Sequence, residues 1–158
     1  MAKSLILYQS SHGNTEKILK DMVEQAKTDV DLAPLKKFNA SKLDEYERIA
    51  FGGSIHAGRI QKNVKAFAEK HAGALKAKPL ALFVGCLDRE NYGTYIETSF
   101  PEDLTAHAEL KTSIGGDVVM EKLPGIMRMM MKKITPNEKD RHFDAVEGRE
   151  ALRKFLEG

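Results

Sequence analysis

The chain has 158 residues, of which 42% are hydrophobic and 30% charged, with a net charge of +2 and a single cysteine. This length fits one domain, and no apolar run approaches the roughly 20 residues that span a bilayer. The small net charge, without a long Lys/Arg run, argues against nucleic acid as a partner. Cys86 alone excludes an internal disulfide and indicates a reducing, cytoplasmic setting.

Along the chain, short apolar runs alternate with segments of helical periodicity, which is typical of βαβ units and a mostly parallel sheet. The first run is too short for a secretory signal and predicts a strand. The predicted strands are Ser4–Tyr8, Val30–Leu35, Arg48–Gly52, Pro79–Gly85 and Lys111–Met120, the last interrupted by Gly115-Gly116. The predicted helices are Thr15–Lys27, Gln61–Ala74, Phe100–Leu110 and Asp144–Leu156. These elements predict an α/β fold, a three-layer sandwich forming one domain over residues 1–158.

The segment between the first strand and the first helix, Gln9–Thr15, is rich in small polar residues. A strand, a glycine-containing turn and a helix start gather backbone N–H groups and a positive helix end, which favours an anion. Ser10, Ser11 and Thr15 add hydroxyl donors, and Gly13 permits close backbone approach. The turn lacks the sequence signatures of nucleoside-triphosphate and dinucleotide loops, so it predicts a site for one phosphate monoester. The alternative is an ordinary capped turn, since Ser, Asn and Thr are common N-cap residues.

The string Ser10-Ser11-His12-Gly13-Asn14-Thr15 resembles the phosphate loop of the flavodoxin family, with His12 where the family often has a hydroxyl residue. The resemblance implies FMN as the cofactor. It also implies a flavodoxin-like three-layer α/β/α sandwich, whose five-stranded parallel sheet has the order 2-1-3-4-5. In that order a ligand lies beyond the carboxyl ends of strands one, three and four.

The loop after the third strand, Gly52–Arg59, is an ordinary glycine loop when taken singly. It is similar to the flavodoxin loop that flanks the flavin ring, which implies cofactor contacts from Ser54, Ile55, His56, Ala57 and Gly58. By this resemblance His56 covers one ring face, and the Ala57-Gly58 peptide hydrogen-bonds the flavin N5 after reduction. An exposed loop histidine is the alternative for His56.

The loop after the fourth strand, Gly85–Tyr95, resembles the Gly-x-x-Asp…Tyr segment of the same family. The resemblance implies a stacking ring from Tyr92 or Tyr95. It also implies contacts with the pyrimidine edge of the flavin from Gly85, Cys86, Leu87 and Asp88. The sequence has no tryptophan for either ring face, which argues against the most familiar electron-carrier members of the family.

No side chain in these loops is predicted to be catalytic. Cys86 directly follows a strand, where a lone cysteine is more often a small buried hydrophobe than a nucleophile. Ser54 has no evident base partner in the sequence, and no Cys/His cluster has the spacing of metal ligands.

The methionine-rich segment Met120–Ile134 is a helix candidate, with Pro124 near its first turn. Its apolar residues form one stripe, and Arg128 and Lys132 project from the opposite side. Such a helix, predicted as an insertion at about 121–136, can lie on the inner face of a membrane through residues 122–134 or cover a flat apolar substrate. A helix packed on the domain, with methionine as filler, is the alternative.

Several of these features together resemble the flavodoxin-like protoporphyrinogen dehydrogenase group: Ser54-Ile55-x-x-Gly58, Ile114-Gly115-Gly116, the methionine-rich segment and the closing helix. That resemblance implies an FMN-dependent oxidoreductase that passes electrons from a planar apolar substrate to a quinone. The alternative is an electron-carrier flavodoxin serving redox partner proteins, which the positive net charge disfavours because such carriers have acidic docking surfaces. A phosphate-binding domain of the receiver type is disfavoured, because Gln9-Ser10-Ser11 lacks the paired acidic residues that it needs after strand one.

Overall fold

The computed structural model describes residues 3–10, 14–56, 58–87, 90–119, 140–143 and 145–158. In these residues the strands are β1 (Lys3–Tyr8), β2 (Asp29–Pro34), β3 (Arg48–His56), β4 (Arg59–Ile60), β5 (Leu80–Gly85), β6 (Leu110–Ser113), β7 (Gly116–Val119) and β8 (Asp140–Phe143). The helices are α1 (Asn14–Gln25), α2 (Lys62–Lys70), α3 (Ala72–Lys76), α4 (Tyr92–Ser99), α5 (Glu102–His107) and α6 (Val146–Glu157). Two 3-10 turns, Leu35–Lys37 and Ala40–Glu45, join β2 to β3. The predicted helix at about 121–136 lies outside the described residues.

The main sheet has the parallel order β2-β1-β3-β5-β6. Counted over its parallel strands alone, this is the predicted order 2-1-3-4-5, and the predicted α/β fold class is confirmed. The central strands are apolar without alternation, because helices cover both faces of the sheet.

Those helices form the outer two of three layers. On one face, Leu19 of α1 and Leu152 of α6 pack with Phe83 of the sheet. On the other face, side chains of α2 to α5, such as Val64, pack with Phe51. Among the described residues, none of the helices has the length and apolar character that crossing a membrane requires.

The third strand is longer than predicted. β3 continues past Gly52 to a hairpin turn at Gly58, whose φ is +78°, and then pairs antiparallel with β4. The two glycines that suggested a loop lie inside the strand. A Cβ on Gly52 would overlap the backbone carbonyl of Phe83, and one on Gly53 would lie 2.5 Å from Gln61 Oε1. Close approach of neighbouring atoms therefore explains both glycines.

The predicted strand Lys111–Met120 is in fact two strands. β6 ends at Ser113, and the chain turns at Gly115, whose φ is +82°. β7 then pairs antiparallel with β8 in a separate two-stranded sheet. The interruption predicted at Gly115-Gly116 coincides with this turn, but the separate sheet and its strand β8 were not predicted.

The helices differ from the prediction mainly at their ends. The predicted helix Gln61–Ala74 is divided into α2 and α3 at His71, whose φ of −116° and ψ of 24° are not helical. The predicted helix Phe100–Leu110 is the shorter α5, and α4 occupies part of the segment predicted as a loop. Pro101 separates these two helices, because proline forces the preceding Phe100 into extended backbone.

Candidate functional site

The carboxyl ends of β1, β3, β5 and β6 lie side by side, because these strands are parallel neighbours in the sheet. Tyr8, the last residue of β1, is paired with Gly52, and Gly85, the last residue of β5, is paired with Ser54. The three loops predicted to hold a cofactor therefore start from one edge. Residues 11–13, 57 and 88–89, which include the predicted Ser11, His12, Gly13, Ala57 and Asp88, lie outside the described part of the chain. The cofactor roles of the described site residues also stay predictions.

The loop after β1, which includes Ser10, leads into α1, a helix of 12 residues that begins at Asn14 on this edge. Thr15 is 5% exposed, and a Cβ added to Gly85 would lie 2.5 Å from Thr15 Oγ1. The glycine thus leaves room for the hydroxyl against the end of β5. A Cβ on Gly116 would lie 3.8 Å from the Asn14 side-chain nitrogen. The first turn of α1 therefore adjoins both the loop after β5 and the turn after β6.

Tyr8 is the last residue of β1, and its side chain is buried, with 4% exposed. Burial raises the pKa of the Tyr8 hydroxyl, and the negative charge of Glu16 and its hydrogen bond to the hydroxyl raise this pKa further. Glu16 lies in the first turn of α1, so the contact holds the start of the helix against β1.

The β3–β4 hairpin carries a hydrogen-bonded group of three side chains. The Ser54 backbone N–H donates to Gln61 Oε1 at 3.0 Å, and Gln61 Nε2 donates to Ser54 Oγ at 2.6 Å. Ser54 Oγ also lies 3.2 Å from His56 Nε2. On its other side, Gln61 Nε2 lies 3.5 Å from the backbone carbonyl oxygen of Gln9, just after β1. This network connects the loops after β1 and β3.

The expectation that Ser54 has no base partner is wrong, because the His56 ring nitrogen is within hydrogen-bond distance. Alternation along a strand places residues i and i+2 on the same face, which explains the pair. Ser54 is nevertheless 6% exposed, and its oxygen already accepts a hydrogen bond from Gln61. The serine therefore links parts of the hairpin and is poorly placed to act as a nucleophile.

The loop after β5 is joined to the turn after β6. The Cys86 side chain is 4% exposed, and its Sγ lies 3.6 Å from Ser113 Oγ. The Cys86 backbone N–H donates to the Gly115 carbonyl at 3.1 Å, and the Gly115 N–H donates to Ser113 Oγ at 3.0 Å. Since this Cys86 N–H is engaged, the predicted recognition of a pyrimidine edge rests on other groups of residues 85–88.

Two tyrosines stand one turn apart on α4, and both are half-buried. A Cβ on Gly58 would lie 4.0 Å from Cε1 of Tyr95. Tyr92, Tyr95 and Ile55 all pack on the core layer beneath α2 to α5. The β3–β4 hairpin therefore adjoins α4 at Tyr95.

Sequence reasoning missed Gln9 and Gln61, although both belong to the network at this edge. The signal that could have found Gln61 is the register of the hairpin, which pairs Ile55 with Ile60 and so brings Gln61 opposite Ser54. No group of three or more His, Cys, Asp or Glu side chains with metal-binding geometry occurs in the part of the chain that the structure describes.

Comparison with known proteins identifies relatives of this architecture. A family model described as "Flavodoxin domain" matches residues 5–144. The protoporphyrinogen IX dehydrogenase [quinone] of Leishmania major is 28% identical over 85 residues, which cover 51% of this chain and 37% of that protein. The Escherichia coli (strain K12) protein of the same name is 27% identical over 84 residues, covering 51% of this chain and 46% of the relative.

Among solved structures, a flavodoxin of Streptococcus pneumonia TIGR4 has a TM-score of 0.57 at 17% identity, covering 99% of this chain and 96% of that one. At this identity the likeness shows the fold alone. The matches to the two dehydrogenases span less than half of each relative's own length.

Proposed function

The chain belongs to the flavodoxin domain family, and we propose that it binds one FMN non-covalently at the carboxyl edge of its sheet. We further propose that it is an oxidoreductase resembling protoporphyrinogen IX dehydrogenase [quinone], which takes electrons from a planar apolar substrate and passes them to a quinone. The family match and the arrangement of the edge support the first step. The names of the two relatives support the second.

The single observation that carries the FMN proposal is that three loops start from one edge of the sheet. The start of α1, with Asn14 and the Thr15 hydroxyl, offers helix N–H groups and polar side chains to a phosphate. Along the same edge, toward β3 and β5, the ring of Tyr95 lies beside the turn at Gly58. A phosphate anchor at the start of α1 and an aromatic ring further along the same edge fit a flavin mononucleotide.

Each described residue then has a defined part in binding. Ser10, Asn14 and Thr15 would hold the phosphate, and Ser54, His56 and Gly58 would lie along the ring. Groups of residues 85–87 would meet its pyrimidine edge, and Tyr95 would stack on it. FMN, when bound, supplies reversible uptake of electrons. The chain supplies position, exclusion of water and a polar surrounding for the ring.

The oxidoreductase part is tested by removing the methionine-rich segment. Deletion of residues 123–134 should leave FMN bound, because the three loops lie elsewhere in the sequence. The same deletion should abolish quinone-linked porphyrinogen oxidation and association with liposomes of anionic lipid, if this segment covers the substrate or contacts the membrane. Unchanged turnover in the deletion variant counts against the proposed activity.

An electron-carrier role is the second candidate, because the family model that matches residues 5–144 is that of the flavodoxin domain. A carrier exchanges electrons with redox proteins and oxidises no small substrate. Rapid electron exchange with a redox protein, together with no oxidation of porphyrinogen by the flavin-loaded chain, would favour this role over the enzyme.

A further inference from the structure

We propose that Gln61 is a positioning residue that fixes the loop after β1 and the loop after β3 at one spacing, so that the phosphate and the ring of a flavin are held together. This inference rests on the proposed FMN site. It concerns a residue outside the three predicted loops, at the start of α2, where its backbone carbonyl accepts the helix's first hydrogen bonds.

Both the oxygen and the nitrogen of the Gln61 carboxamide form hydrogen bonds. Its Oε1 accepts from the Ser54 backbone N–H at 3.0 Å, while its Nε2 donates to Ser54 Oγ at 2.6 Å and faces the Gln9 carbonyl at 3.5 Å. An N–H on one side and a carbonyl on the other fix which end of the amide is oxygen and which is nitrogen. Neither a hydrocarbon nor a carboxylate of the same length can make all three contacts.

The backbone is shaped to admit this side chain. Gly53 lies in the strand next to Ser54, and a Cβ there would lie 2.5 Å from Gln61 Oε1. The glycine therefore leaves the space that the carboxamide fills. A substitution at Gly53 and a substitution at Gln61 should disturb the same contact.

The two residues that Gln61 contacts, Gln9 and Ser54, lie next to the loops after β1 and β3. Gln9 precedes the loop that contains Ser10, and its own backbone N–H donates to the Gly52 carbonyl at 3.2 Å, which continues the β1–β3 pairing. Ser54 lies in β3 just before the hairpin turn, and its Oγ is 3.2 Å from His56 Nε2. The Gln61 side chain thus connects the loop after β1, the loop after β3 and, through Ser54, the imidazole of His56.

The energetic consequence is coupling between two parts of one ligand. The phosphate of FMN adds to the binding free energy only if the loop after β1 is at the right distance while the ring is bound. A loop already held at that distance needs no ordering when FMN binds. Loss of Gln61 should therefore weaken FMN more than riboflavin, which has the ring and lacks the phosphate. A side chain that only stabilises the fold would weaken both ligands equally.

The test measures dissociation constants of FMN and riboflavin for the wild-type chain, Gln61→Met and Gln61→Glu. Lys65→Ala is the matched control, because Lys65 is exposed one turn further along α2. Circular dichroism verifies that each variant is folded. Gly53→Ala provides a second route to the same contact if Gln61→Met does not fold.

We expect FMN affinity to fall about 5- to 100-fold in both Gln61 variants, since the buried Ser54 groups lose a partner. The ratio of riboflavin to FMN dissociation constants should shrink toward one, and the visible circular dichroism of the bound flavin should change. Lys65→Ala should match the wild type. An unchanged ratio in folded Gln61 and Gly53 variants overturns the inference and leaves the FMN site intact, whereas a wild-type chain that binds neither ligand overturns the proposed function and this inference together.

Discussion

At the scale of single residues, Tyr95 of α4 is the aromatic side chain that lies beside Gly58 in the β3–β4 hairpin. We predict that Tyr95→Leu weakens FMN binding by about 2- to 10-fold, because an aromatic contact contributes about 0.5–1.5 kcal/mol beyond the area that it buries. Tyr92→Leu should have a smaller effect, since Tyr95 and not Tyr92 adjoins Gly58. Fluorescence titration with FMN measures both. A larger loss in the Tyr92 variant would contradict the assignment.

Tyr46 tests a different part of the molecule, since its contacts lie with the first residues of β1 and in β2. Its hydroxyl donates to Asp31 Oδ2 at 2.6 Å, and Lys3 Nζ lies 3.2 Å from the same oxygen. Burial raises the pKa of Tyr46 far above its ordinary value, and the hydrogen bond and negative charge of Asp31 raise this pKa further.

The sign of the resulting pH dependence follows from proton binding. Above about pH 10, tyrosine in the unfolded chain loses its proton while folded Tyr46 keeps it, so the free energy of unfolding falls as pH rises. We predict that Tyr46→Phe makes this alkaline loss shallower and costs about 0.5–1.5 kcal/mol at neutral pH. Urea denaturation across the alkaline range measures both. Parallel stability curves for the two proteins would contradict the prediction. Tyr8, whose pKa is also raised, should retain part of the slope in the variant.

At the scale of elements, α6 approaches β6 with no space for a side chain at Gly148. A Cβ there would overlap the backbone carbonyl of Ser113 and lie 2.8 Å from Thr112 Oγ1. Because a backbone atom of the sheet cannot yield, the helix would have to move. We predict that Gly148→Ala lowers the free energy of unfolding by about 1–3 kcal/mol, although alanine is the better helix former.

Gly73 in α3 is the matched control for this prediction, because a Cβ there meets no atom within 4 Å. Gly73→Ala should stabilise the chain by about 0.5–1 kcal/mol through helix propensity. Urea denaturation of both variants gives the comparison. Stabilisation by Gly148→Ala would show that α6 does not pack against β6 as described.

The elements that the sequence predicted are those with long apolar runs or clear helical periodicity. β1 and β5 are predicted nearly to the residue, because strands buried on both faces are continuous and apolar. The errors fall at glycines, because a glycine can mark either a turn or a close contact inside a strand. Gly52 and Gly53 read as a turn but lie in β3, where neighbouring atoms occupy the place of a Cβ. Whether a glycine marks a turn or a close contact depends on partners distant in sequence.

The same limit applies to the candidate site. The loops after three strands could be placed on one edge, because parallel strands share their carboxyl ends. Gln61 could not be found in this way, because its importance depends on hydrogen bonds to Ser54 and to Gln9, which is 52 residues away in the sequence. Such contacts follow from the register of a hairpin that the sequence analysis interpreted as a loop.

At the scale of the whole molecule, the candidate site and the tested stabilising contacts are separate. Tyr46 and Asp31 interact with Lys3 at the start of β1, whereas the candidate site lies at the opposite, carboxyl edge of the sheet, where β5 ends at Gly85. Distant groups without shared partners contribute additively to free energy. Tyr46→Phe should therefore leave FMN affinity unchanged while it alters alkaline stability.

The central claim is that the carboxyl edge of this sheet binds FMN, and flavin titration of the purified, flavin-stripped chain tests it most directly. We predict saturation at one FMN per chain, with a shift in the visible flavin absorbance. Thermal stability should rise with FMN concentration, by about 2.7 kcal/mol at 100 times the dissociation constant. A folded chain that is purified colourless, binds no added FMN and gains no stability from it would contradict the claim.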